Sequence, residues 1–153
     1  MQNHLQYRRL HAVWEEIKRS GVKILFRGVV PTNTEGLFFP VTLLDNPPDG
    51  ASFVTQEIFG PIRSIFNYRN LDEAIRRAND TSYGLGASVW GRDPAQLRSV
   101  AGRLEAGIVW INQHAIPNPF VPTSPYKESG LGVEFGQEGL EEFCNIQVIA
   151  AKQ

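Results

Sequence analysis

The spacing of apolar residues between positions 63 and 111 alternates between the two-residue period of a strand and the longer period of a helix. Residues 63–68 alternate around Ile65, and Leu71, Ala74, Ile75 and Ala78 then fall on one helical face. Residues 86–90 read as a strand. Residues 94–104 read as a helix entered at Asp93-Pro94, a capping side chain followed by proline at the first helical position. Gly107 is expected to stop that helix, and residues 108–111 form the near-continuous apolar run of a strand buried inside a parallel sheet. Strand, helix, strand, helix, strand with short links is the signature of right-handed crossover units. The pattern predicts an α/β fold with these three strands in one parallel sheet and both helices packed on it.

The stretch that precedes this alternation is Thr55-Gln-Glu57-Ile-Phe59-Gly60-Pro61-Ile62. Glycine is open to backbone angles closed to other residues, and Pro61 fixes its own φ while pushing Gly60 away from the helical region. A rigid turn is expected, presenting Glu57 and Phe59, two apart, on one side of an extended segment. Taken alone, the same residues also fit a buried Phe beside a solvated Glu at the start of a strand.

Ahead of that stretch, Leu10, Val13, Trp14 and Ile17 predict a helix over residues 3–19, with Ser20-Gly21 as its stop. Residues 22–26 read as a short strand, 28–36 as a polar loop and 37–44 as a second extended run, broken by the turn at 45–50. His4 and His11 could share a helical face, but without a third ligand they read as a solvated pair, so no metal site is expected. Residues 112–125 hold four prolines and few charges. That describes a stiff, irregular loop at the C-terminal end of a parallel strand, where open α/β sheets place their ligands. Residues 138–143 read as one or two helical turns, and 146–151 as a closing extended apolar segment.

Composition excludes more than it identifies. The chain has 153 residues, 42% of them hydrophobic and 20% charged, which suits one ordinary globular domain with a real core. A formal net charge of −1 gives no electrostatic case for a nucleic-acid or anionic-membrane partner. No apolar run is long enough to span a bilayer. The single cysteine rules out an internal disulfide framework and fits a reducing cytoplasm, the expected location. Gly130, Gly132 and Gly136 miss the dinucleotide-binding fingerprint, because the third glycine is one place late and no strand precedes it. Cys144, the one candidate nucleophile, has no His or Lys beside it in sequence to activate it and reads as a structural thiol.

Several ordered motifs nevertheless resemble one family. Glu57-Ile-Phe-Gly-Pro61 is followed by Leu71-Asp-Glu-Ala-Ile-Arg-Arg-Ala-Asn-Asp-Thr-Ser-Tyr-Gly-Leu85 and by Leu104-Glu-Ala-Gly-Ile-Val-Trp-Ile-Asn112. Tyr126-Lys-Glu-Ser-Gly-Leu-Gly132 and Gly136-Gln-Glu-Gly-Leu-Glu-Glu-Phe143 come next. Together they resemble the C-terminal part of an aldehyde dehydrogenase, over nearly the whole chain. The resemblance implies a partial catalytic domain over residues 1–143 and an oligomerisation strand over 144–153.

In that family a thiolate attacks the aldehyde, a hydride passes to NAD or NADP, and water hydrolyses the thioester. The nucleophilic cysteine, the general-base glutamate and the oxyanion-binding asparagine come from segments before the matched region, as does the domain that holds the adenine half of the cofactor. The resemblance therefore implies no catalytic residue in this chain and no turnover by it alone. It implies a cofactor edge: Glu57 matches the glutamate that bonds the nicotinamide ribose hydroxyls, and Phe59 the ring packed near the nicotinamide. Cofactor binding by this chain alone is expected to be very weak.

Asn112 and the loop through Val121 match a wall of the aldehyde pocket, with His114 and Phe120 as candidates to line it; a loop-bracing amide and loop-packing side chains fit these residues equally well. The closing segment matches the strand that members add to a neighbouring subunit. Ile146, Val148 and Ala150 lie on one face of it and Gln147, Ile149 and Ala151 on the other, so a homo-oligomer is expected. The rival expectation is a non-catalytic assembly module that pairs with itself or with a full-length relative. Two departures stand out. Pro122-Thr-Ser-Pro125 replaces the usual Pro-Phe-Gly-Gly, which should change that backbone, and Val133 replaces the usual Arg.

Overall fold

Asn3 starts the first helix, α1 (His4–Ser20), because its side-chain oxygen accepts from the backbone N–H of Gln6 at 2.8 Å. Gly21 ends it in the left-handed conformation, φ 69°. Leu10 and Ile17, seven residues apart on one face, are completely or almost completely buried. The computed structural model describes residues 1–31, 33 and 35–152. Positions 32 and 34 of the expected polar loop, and position 153 of the closing segment, lie outside the described residues. The chain forms two units, Met1–Tyr68 and Arg69–Gln153.

In the first unit β1 (Lys23–Arg27) runs antiparallel to β2 (Thr42–Asp45), and β2 runs parallel to β3 (Ile62–Ile65). A short helix, α2 (Ser52–Thr55), lies within the crossover from β2 to β3. Leu10, Ile17, Phe39, Leu44, Phe53 and Ile62 form one buried cluster. Each such side chain contributes about 1.5–3 kcal/mol when fully removed from water. Thr42 is the buried polar residue of the sheet, and its hydroxyl is satisfied by the Pro40 carbonyl at 3.0 Å and by the Arg27 guanidinium at 3.3 Å. Arg27 also stacks 3.6 Å above the Trp14 ring, joining β1 to α1.

The second unit begins with α3 (Leu71–Asn79), entered through a reciprocal cap. Asn70 Oδ1 accepts from Glu73 N at 2.9 Å, and Glu73 Oε2 accepts from Arg69 N at 3.0 Å. β4 (Tyr83–Gly84) follows, then β5 (Gly86–Val89), α4 (Pro94–Ala101) and β6 (Ile108–Ile111). β5 and β6 are parallel, in register Gly86 to Ile108, and α4 is the crossover between them. Asp93 caps α4 by accepting from Ala95 N at 2.9 Å, as the Asp-Pro pair predicts. β7 (Tyr126–Lys127) pairs antiparallel with β4, and α5 (Gly136–Glu141) follows.

The α/β class with parallel pairing is as expected, but the sheet assignment needs correction. β5 and β6 pair in parallel, whereas β3 belongs to a separate ladder and takes β2 as its parallel partner. The first crossover unit therefore begins one strand earlier than the sequence pattern suggests, at the extended run before the turn at 45–50. α4 also ends at Ala101 rather than at 104, with Gly102 as its cap. Gly107 is needed for a different reason. A Cβ there would lie 1.7 Å from the Ser124 carbonyl oxygen, so glycine lets the 122–125 segment pass over β6. After α5, residues 145–152 pair with no strand among the described residues, and Ile146, Val148 and Ile149 are 96%, 84% and 86% exposed.

Candidate functional site

Glu57 and Phe59 stand on the link between α2 and β3, where the carbonyls from Ile58 to Ile62 are committed. Gln6 Nε2 donates to Ile58 O at 2.8 Å and to Phe59 O at 3.1 Å. Arg63 Nη1 donates to Gly60 O at 2.9 Å and to Ile62 O at 2.8 Å, and Thr42 N donates to Pro61 O at 2.8 Å. These bonds hold the turn, but its unusual backbone sits one residue earlier than the Gly-Pro pair suggests. Phe59 has φ 48°, while Gly60 keeps a negative φ. The segment is therefore not continuously extended between Glu57 and Gly60. Gly60 also leaves room for the core, since a Cβ there would come within 2.6 Å of a Leu10 methyl and that buried side chain would have to shift.

A phenylalanine at positive φ is uncommon and persists only where its surroundings fix it. Phe59 is 69% exposed, so the core is not what requires it. The Glu57 carboxylate is exposed and makes no hydrogen bond or ion pair among the described residues. This ridge lines two clefts of the first unit, one of about 390 Å³ against α1 and one of about 430 Å³ against β3. An open acceptor and an open aromatic face, two residues apart on fixed backbone, can bind a diol and an adjoining flat ring. That is the chemistry a ribose and its base present.

The remaining candidates lie in the second unit. Asn112, at φ 53°, uses its side chain as a clasp: Oδ1 accepts from Gly91 N at 2.9 Å, and Nδ2 donates to Gly91 O at 3.0 Å. His114 sets its ring edge-on to Trp110 at 5.5 Å between centroids, and Phe120 is 86% exposed. Cys144 is exposed, and its Sγ lies 3.6 Å from the Leu140 carbonyl oxygen. No cluster of potential metal ligands occurs among the described residues. His11 packs against Tyr7 and Phe39 rather than sharing a site with His4. Among the described residues no helix is long and apolar enough to cross a membrane.

Two features carry no clear signal in the sequence. Gln6 occupies an unremarkable place in the first turn of α1, and only the helical phase linking it to Leu10 hints that it faces the ridge. Lys127, at φ 55°, ties three segments together. Its Nζ donates to Asn79 O at 2.6 Å and pairs with Glu105 at 2.7 Å, while Ser129 Oγ accepts from Gly84 N at 2.8 Å. The Tyr-Lys-x-Ser run is thus a latch that holds β7 against β4.

Comparison with known proteins agrees with this architecture. The model of the aldehyde dehydrogenase family matches residues 1–149. The FUS7 protein of Gibberella fujikuroi, named for the same family, is 44% identical over 147 residues, covering 96% of this chain and 32% of its own length. Aldehyde dehydrogenase C from Pseudomonas syringae, solved as a C291A mutant with NAD+ and octanal, is 36% identical with a TM-score of 0.86. The match covers 94% of this chain and 30% of that one. Betaine aldehyde dehydrogenase from Staphylococcus aureus, solved with NAD+, is 33% identical with a TM-score of 0.85, over 92% of this chain and 28% of that one. The chain thus spans under a third of the length of these relatives.

Proposed function

This chain belongs to the aldehyde dehydrogenase family, and from that premise we propose that it is the C-terminal part of an NAD(P)-dependent enzyme oxidising aldehydes to carboxylic acids. It contributes the nicotinamide-ribose edge of the cofactor site and an assembly strand. The observation that carries the cofactor reading is the ridge: a Glu57 carboxylate unpaired among the described residues and the open Phe59 ring, held by a backbone whose carbonyls from Ile58 to Ile62 are all bonded. When bound, NAD(P) accepts a hydride. The work of this chain is to hold the ribose hydroxyls at Glu57 and restrict the ring's position at Phe59.

Residues 1–143 are the proposed part of the catalytic domain, and 144–153 the assembly strand. Asn112, through its clasp on Gly91, is proposed to fix the wall of the aldehyde pocket, with His114 and Phe120 as lining side chains. No residue here supplies a nucleophile or general base, so the chain by itself does not turn over. The exposed apolar run at Ile146, Val148 and Ile149 supports pairing with a further copy. The same exposure favours the second reading, an assembly module acting with a full-length relative.

The purified chain, given an aliphatic aldehyde and NAD+, is expected to form no NADH above background. Turnover that Cys144→Ala abolishes would overturn the proposed absence of a nucleophile. Calorimetry should find weak NAD+ binding that Glu57→Ala removes. Micromolar affinity unchanged by that substitution would take the ribose role away from Glu57.

A further inference from the structure

Phe59 cannot hold its own conformation. Its φ of 48° is disfavoured for a bulky side chain, and its ring is largely in solvent. One side chain from a distant part of the sequence supplies the restraint. The amide nitrogen of Gln6 reaches the Ile58 and Phe59 carbonyls together, at 2.8 and 3.1 Å. Those two carbonyls belong to the peptide planes on either side of the Phe59 Cα. Fixing both planes fixes φ and ψ between them.

Gln6 is itself held, because its own N–H donates to the Asn3 cap at 2.8 Å. One turn further along α1, Leu10 closes against Gly60, where an added Cβ would lie 2.6 Å from its methyl. The helix therefore grips the ridge at two successive points on one face. Arg63 holds the exit side of the turn through the Gly60 and Ile62 carbonyls, so it cannot substitute for Gln6 at residues 58 and 59.

We propose that Gln6 is the positioning residue of the cofactor edge, setting the backbone on which Glu57 and Phe59 meet the nicotinamide ribose and ring. This rests on the cofactor reading of Glu57 and Phe59 given above. Gln6 touches neither reacting atom, and its action is entirely through the two carbonyls. A side-chain amide suits this role because it carries donors to share between two acceptors and brings no charge beside the Glu57 carboxylate.

The test uses the whole chain with NAD+ as the probe, followed by NMR. Gln6→Glu keeps the size of the side chain and removes the donors, while Gln6→Lys returns a donor on a flexible stem. In Gln6→Glu the Cα and Cβ shifts of Phe59 should leave left-handed values, and NAD+-induced shifts at Glu57 and Phe59 should fall roughly tenfold at fixed ligand concentration. Gln6→Lys should recover the left-handed Phe59 shifts, and amide shifts away from residues 57–60 should stay those of the parent in each variant. Unchanged Phe59 shifts in Gln6→Glu would overturn the clamp. Altered Phe59 shifts with undiminished NAD+ effects would overturn its purpose. NAD+ effects absent from the parent itself would remove the cofactor reading, while the Phe59 shifts still decided whether Gln6 sets the backbone.

Discussion

Replacing Gly107 with alanine tests the packing of the second unit at its tightest point. The added Cβ would lie 1.7 Å from the Ser124 carbonyl oxygen, 2.7 Å from its carbon and 3.3 Å from the Leu85 oxygen. Carbonyl backbone cannot rotate away as a side chain can, so the 122–125 segment must retreat by more than about 1.5 Å to reach ordinary contact. That retreat strains the bridge between Thr123 and Glu134, two bonds of 2.8 and 2.9 Å, and the bond from Ser124 Oγ to Gly132 O at 3.0 Å. Each is worth about 1 kcal/mol net. With about 1–3 kcal/mol for overpacking, the expected loss is about 4–6 kcal/mol, a large part of the stability of a small unit. Gly102→Ala is the matched control: its nearest contact would be an ordinary 3.5 Å to Arg98 O, its φ is −69°, and a gain of about 0.5 kcal/mol is expected. Urea denaturation should separate the two variants, and amide exchange at Thr123 and Glu134 should accelerate only in Gly107→Ala. A Gly107→Ala protein within about 1 kcal/mol of the parent, with both amides still protected, would refute the close approach.

In the first unit, Lys23 and then the Asn46 amide hold the Asp45 carboxyl below its ordinary value of 3.8. The stabilisation is thus present above that pH and lost as the pH falls through the lower folded value, so Lys23→Met should flatten the acid limb of stability against pH; an unchanged limb would contradict the pairing. Changing Ser124 and Pro125 together to glycine, the run usual in the family, should destabilise the second unit by about 1–2 kcal/mol through the freer unfolded chain. A gain in urea midpoint would mean that this backbone needs those glycines. Deleting residues 146–153 should shift sedimentation at high micromolar concentration from associated to monomeric, and a parent that is already monomeric would end the assembly role of the tail.

What can be read from sequence is whatever local chemistry decides. α1 and α4 follow from the spacing of Leu10 and Ile17 and from Asp93-Pro94, because caps and apolar period lie within the helices themselves. The β5–α4–β6 crossover follows from three adjacent segments of the right length. α2 escapes a sequence reading because its four residues are too few to display a period, and no side chain caps it. The β4–β7 pairing joins two-residue strands far apart in the chain, so neither strand carries a legible pattern. At the site, Glu57 and Phe59 are legible as residues but not as geometry. Sequence assigns the unusual backbone to Gly60, the residue that tolerates it at least cost. The positive φ instead belongs to Phe59, because Gln6 imposes it from 53 residues away.

The Pro122–Pro125 run shows the same division between local rule and imposed geometry. Two prolines where the family usually has one, and neither of its two glycines, should stiffen the loop, yet none of residues 122–125 has a positive φ, so nothing there requires glycine. The need is met by facing residues. A Cβ on Gly136 would lie 3.0 Å from Pro122 Cδ, and one on Gly130 would lie 3.1 Å from Pro125 Cγ. Both glycines also take positive φ, 65° and 150°. Each proline thus rests on a glycine that supplies both the space and the backbone freedom. The loop still delivers Tyr126 and Lys127 to β4, where the Lys127 latch closes on Asn79 and Glu105. A departure in the motif is therefore compatible with an intact scaffold around it, because the conformational demand falls on Gly130 and Gly136, which the chain retains.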